Sequence, residues 1–131
     1  MITESIKSFV EGMGHAFVAT ADRTGSPHLA VGVGVTFPEP NLLVFEAWFC
    51  TTTLKNLEEN PKVAVAIVDP LTGKGYQFLG RVEQRKDSAI LNGYLPDAEP
   101  PGLPQVQWRL EARIDNVLAL TAEAHSDRPL G

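Results

Sequence analysis

Between residues 29 and 37 the chain reads LAVGVGVTF, so Leu29, Val31, Val33, Val35 and Phe37 alternate with Ala30, Gly32, Gly34 and Thr36. A period of two is the mark of a β-strand, and here it puts bulky residues on one face and almost nothing on the other. Glycine weakens a strand, so two of them on one face imply either close approach of another group to the backbone or a bend. A flat ring is one group that can lie against a bare face. A crowded barrel interior or a subunit contact is the other, and the pattern alone favours it. Either way the strand demands a sheet with two unlike faces.

Further short apolar runs surround it: HAFVATA at 15–21, LLVFEAWF at 42–49, KVAVAIV at 62–68, GYQFLGRVEQR at 75–85 and a last run over about 106–120. The tetrapeptide DRTG at 22–25 and DPLTGK at 69–74 carry turn chemistry, which joins their flanking runs as hairpins, while Pro38 and Pro40 are expected to stop the second strand. Helical spacing appears in two places. Ile2, Ile6, Phe9, Val10 and Met13 share one face, with Thr3 able to cap the start and Gly12 or Gly14 to end it. Residues 51–60 put Leu54 and Leu57 on one side and stop at Asn60-Pro61. A third, short helical stretch is expected at 87–95, weakened by Gly93. Four prolines between Pro96 and Pro104 make an extended surface loop, and the tail HSDRPLG reads as loose. Six strands with so few helices do not give the βαβ alternation of a parallel sheet, whereas closing an antiparallel sheet on itself removes its edges. The chain is therefore expected to be mainly β, a six-stranded antiparallel barrel.

At 131 residues, division would leave pieces too small for a core, so residues 1–131 are read as a single domain. No apolar run approaches the roughly 20 residues that span a bilayer. The first ten residues lack the basic head and apolar run of a secretory signal, which points to the cytoplasm. With 16 acidic against 11 basic residues and a net charge of −5, nucleic acid is a poor partner. Cys50 is the single cysteine, so there is no disulfide framework, and it is read as a small apolar residue. His15, His28 and His125 are scattered and lack metal-ligand spacing.

No G-x-S-x-G elbow and no glycine-rich phosphate loop occurs, and Cys50 has no evident base, so any catalysis would fall to a bound cofactor. The strongest local signal is Thr51-Thr52-Thr53 at the entrance of the second helix. A helix start offers unpaired N–H groups and partial positive charge, and hydroxyls there add donors for a phosphate; simple capping is the plainer use of the same residues. Trp108, just after the proline-rich loop, can cover a ligand or fill an interface. Trp48 reads as core. Gln77, polar within an apolar strand, can donate to a carbonyl on a bound ring or simply face solvent.

The order FVATADRTGSPHLAV, LLVFEAWF, TTTLKNLEENPKVAVAIVDP and GYQFLGRVE resembles the pyridoxamine 5′-phosphate oxidase-like, FMN-binding split-barrel family. The likeness runs from about Phe17 to Glu83, and NLEENPKVAV is its most specific part. It implies a six-stranded antiparallel Greek-key split β-barrel, working as a homodimer with FMN in grooves between protomers. Carried over by position, the flavin ring runs along the backbone of Val31, Gly32 and Val33, Glu46 and Ala47 lie near the ribityl chain, and the phosphate sits at Thr51, Thr52 and Thr53. Trp108 takes the place of an aromatic residue from the second subunit. Oxidase members usually place an Arg or Ser and then a Lys at the phosphate site, where this chain has threonines, and they have an arginine where it has Ala30. Their C-terminal R-L-x-P signature is not reproduced by WRLEA at 108–112. The expectation is an FMN-dependent oxidoreductase or electron carrier rather than a true pyridoxamine phosphate oxidase. A flavin storage or sensing module, or a barrel binding haem or the deazaflavin coenzyme, are the alternatives.

Overall fold

Thr3 opens the first helix: its hydroxyl accepts from the Ile6 amide at 3.2 Å. The helix α1 (Glu4–Met13) then runs to Gly14, whose φ of 80° ends it in the left-handed conformation that glycine adopts without strain. The fold is a computed structural model that describes residues 2–48, 51–90 and 106–130, with side-chain surroundings described for 2–46, 51–86 and 108–130. After α1 come β1 (His15–Ala21), β2 (Pro27–Glu39), β3 (Leu42–Trp48), α2 (Thr51–Glu59), β4 (Lys62–Asp69), β5 (Lys74–Ile90) and β6 (Val106–Thr121). The strands close into a six-stranded barrel in the order β1-β2-β3-β6-β5-β4, every pair antiparallel. Two meanders of three strands are thus joined by the β3–α2–β4 crossover.

Three expectations change. The second strand continues through Pro38 to Glu39. Residues 87–90 extend β5 instead of forming a helix, because β6 offers them a ladder: Asp87 pairs with Trp108, Ala89 with Gln107 and Ile90 with Val106. Long-range pairing outweighs local preference there. The rest of that predicted helix, the proline-rich loop, Phe49 and Cys50 lie outside the described residues.

The third change concerns β2. Gly34 has φ 65°, and the register against β3 shifts between Val33 and Thr36. This bulge reverses the alternation. Leu29 and Val31, before it, are 67% and 50% exposed, whereas Val35 and Phe37, after it, are buried. The bare face at Gly32 points into the barrel, where a Cβ would stand 2.7 Å from the Phe45 ring. Glycine is required there to make room for a core phenylalanine, so that face is an inner wall and not a shelf for a ligand ring.

Val18, Phe45, Val65, Phe78, Leu110 and Val117 fill the interior. α1 plugs one end, burying Ile6 and Val10, with the Phe9 ring edge-on to Tyr76 at a centroid distance of 5.4 Å. α2 closes the other, where β1 ends and β4 begins. Among the described residues no helix is long and apolar enough to cross a membrane.

Candidate functional site

At the α2 end the closure is polar. Asn56 donates from Nδ2 to the Thr20 hydroxyl at 3.0 Å, both groups being buried. Arg85 reaches from β5 to donate to the Leu54 carbonyl at 2.7 Å and pairs with Glu58 at 3.4 Å. The β1–β2 turn also docks on α2, since the Arg23 amide donates to Glu59 at 3.0 Å and the Arg23 guanidinium lies 3.6 Å from the same carboxylate. Within that turn Asp22 accepts from the Thr24 hydroxyl at 2.6 Å and from the Thr24 and Ser26 amides. These bonds, the Thr24 hydroxyl first, hold its carboxyl below the usual aspartate value.

The three threonines at the mouth of α2 are not equivalent. Thr51 and Thr52 are exposed, whereas Thr53 is completely enclosed and its hydroxyl has no hydrogen-bond partner among the described residues. A buried polar atom left unpaired costs about 1–3 kcal/mol, so it is a feature a fold keeps only for a reason. Of the cations that could supply the missing clamp, Arg85 is committed to the body of α2, Lys55 is exposed on it, and Arg81 lines a cavity elsewhere on the barrel.

The register shows which predicted residues meet. Val33 is opposite Glu46, Glu46 is opposite Arg109, and Ala47 is opposite Trp108. Val31, Gly32, Val33, Glu46, Ala47 and Trp108 therefore belong to one stretch of three adjacent strands, and β3 leads from it towards α2. Gln77 does not join them. Its row runs Val31, Phe17, Ala66, Gln77 across β2, β1, β4 and β5, three strand spacings or about 14 Å from Val31.

Sequence reasoning missed the outer surface of that same row. Phe17 is 53% exposed and directly opposite Val31, while Leu29 is opposite Ala19, which makes a connected apolar patch on the outer face of β1 and β2. The signal was present in the spacing of Leu29 and Val31, but the bulge that turns them outward was not.

Among the described residues no group of three His, Cys, Asp or Glu is placed to hold a metal. Residues 2–113 match the family model described as pyridoxamine 5′-phosphate oxidase, and the chain belongs to that family. An uncharacterized protein of Methanocaldococcus jannaschii is 32% identical over a 95-residue alignment that covers 66% of this chain and 63% of that protein, so the match spans less than two thirds of the relative. Among solved structures, HupZ of Group A Streptococcus is similar with a TM-score of 0.67 at 22% identity, over 96% of this chain and 99% of that one. An F420 reductase gives 0.64 at 21% identity, covering 88% and 97% of the two chains. An FMN-binding protein from Syntrophomonas wolfei gives 0.63 at 13% identity, covering 92% and 87%. These likenesses establish the split-barrel fold.

Proposed function

We propose that this protein binds FMN as a homodimer and serves as a flavin-dependent oxidoreductase or electron carrier, without pyridoxamine phosphate oxidase activity. The observation that carries the reading is the mouth of α2. Exposed Thr51 and Thr52, the first-turn amides that a helix's own ladder does not use, and the Thr53 hydroxyl, unpaired among the described residues, together offer neutral donors for a phosphate ester. The backbone of Val31–Val33 and the β3 residues Glu46 and Ala47 would lie along the remainder of the nucleotide. When bound, the flavin ring supplies the redox chemistry; the chain's part is to place it and to exclude water.

One feature supports the dimer. An apolar patch of Phe17, Leu29 and Val31 is the kind of surface that a subunit contact covers. Gln77 is too far round the barrel to reach a ring lying on Val31 of its own chain, so a role for it at the ring requires a second copy.

The test is the visible spectrum of the freshly purified protein, with the released cofactor identified by mass. Oxidised flavin bands and released FMN are expected; a haem or deazaflavin spectrum, or none after loading with FMN, overturns the reading. FMN is expected to bind about tenfold or more tighter than riboflavin, since only FMN carries the phosphate. Equal affinities would reject the phosphate placement. Bleaching by NADH or NADPH, then turnover of an acceptor, separates the oxidoreductase from a storage module.

A further inference from the structure

On the outer wall of the barrel, beyond the far end of α2, strands β1, β4, β5 and β6 border a cavity of about 470 Å3. Its floor is the row Ala19, Ala64, Leu79, which the register sets side by side on the outward face. The hollow is built by the backbone. Small side chains on β1 and β4 form one wall, and at Gly80 the β5–β6 register shifts so closely that a Cβ would overlap the Arg113 carbonyl.

The rim carries charge. Lys62 and Arg81 stand directly opposite each other on β4 and β5, an arrangement that by itself destabilises a strand pair. The next residue in this row, Arg113 on β6, is neutralised: its guanidinium donates to Glu83 at 3.1 Å, and that bond raises its pKa. Lys62 and Arg81 have no such partner; among the described residues neither lies within 4.0 Å of a carboxylate. In a chain of net charge −5, two adjacent unpaired cations over an apolar hollow call for an anion. Asp115 on β6, between the partners of Leu79 and Gly80, also lines the cavity, so the three charges leave an excess of one positive.

We propose that this cavity binds a small amphipathic anion, its apolar body on Ala19, Ala64 and Leu79 and its head group between Lys62 and Arg81. The volume falls within the range of about 300–1,000 Å3 typical of small-molecule sites. The Arg81 fork can donate to two oxygens of a carboxylate or a phosphate, and Lys62 adds a point charge beside it. This site is separate from the mouth of α2 and stands whether or not FMN binds there.

The test is calorimetric titration of the intact protein, with and without FMN, using naphthoate and naphthyl phosphate as probes. The shared body with two different heads tells a carboxylate ligand from a phosphate one. At least one probe is expected to bind at one site per chain, and uncharged naphthalenemethanol to bind about tenfold or more weaker. The variants Lys62→Gln and Arg81→Gln, and Ala64→Leu, which fills the floor, are expected to weaken binding by a similar factor, while Thr52→Ala leaves it unchanged. Circular dichroism of each variant verifies the fold, and the double charge reversal Lys62→Glu/Arg81→Glu serves as a second, stronger variant. No binding of either probe, undiminished binding in both the single and double charge variants, or displacement of naphthyl phosphate by one equivalent of FMN would overturn the proposal.

Discussion

At the α1 end of the barrel, Ile6 and Val10 enter a core that already holds Phe37, and the Phe9 and Tyr76 rings meet edge to face; among the described residues no polar side chain is buried in that closure. At the α2 end Leu57 is joined by three buried polar residues, Thr20, Thr53 and Asn56, and two arginines from neighbouring segments are tied onto the helix. Both helices have about the same length, ten residues against nine. The difference shows that one end is a plug and the other a fitting. An apolar lid is enough to keep water out. A polar lid brings hydrogen-bonding costs that the fold tolerates where groups must meet something from outside.

That contrast can be broken by mutation. The largest effect is expected at the plug: Phe37→Ala removes a nearly fully buried ring and lowers stability by about 3–5 kcal/mol in chemical denaturation, with FMN affinity of the folded fraction unchanged. A loss of affinity of the same size would mean that the two ends are not independent. At the fitting, Asn56→Leu strands the buried Thr20 hydroxyl, for a loss of about 1–3 kcal/mol by the same measurement. Thr53→Val separates the roles further. Because the hydroxyl has no partner among the described residues, the cofactor-free protein is expected to be as stable as the parent or about 1 kcal/mol more so, while FMN titration shows weaker binding. A destabilised cofactor-free protein with undiminished affinity would reverse the assignment of that hydroxyl.

The smallest effect concerns the turn that fastens β1 and β2 to α2. Asp22 has a folded pKa below its unfolded value, so its contribution is complete above about pH 3.9 and is lost as pH falls through the folded value. Asp22→Asn is therefore expected to flatten the acid limb of the stability curve and leave stability near neutral pH lower than in the parent. Identical acid limbs in the two proteins would remove the turn from the list of contacts that hold the α2 end.

Much of this arrangement was legible in the chain. β1 and β4 fall within a residue of the limits set by their turn residues, because DRTG and DPLTGK admit few other conformations. α1 starts at its expected cap, Thr3, and of the two glycines able to end it the helix passes through Gly12 and stops at Gly14. What escaped depends on neighbours distant in sequence. The burial of Thr53 but not Thr52 follows from how α2 sits on the barrel, and no threonine run encodes it. Residues 87–90 became strand because β6 lies alongside. The cavity under Lys62 and Arg81 is assembled from four strands, none with a pattern of its own. The candidate site was half readable: its members were named from local signals and family likeness, but the separation of Gln77 from Val31 needs the cross-barrel register.

The left-handed residue at Gly34 gives β2 two allegiances, outward in its first half and inward in its second. Shortening the chain by one residue between 33 and 36 would restore strict alternation and force a choice, turning either Val35 and Phe37 to water or Leu29 and Val31 into the interior. Length is thus more tightly constrained at that point than side-chain identity. A single missing codon there would be felt simultaneously by the hydrophobic filling and by the surface offered to a second molecule.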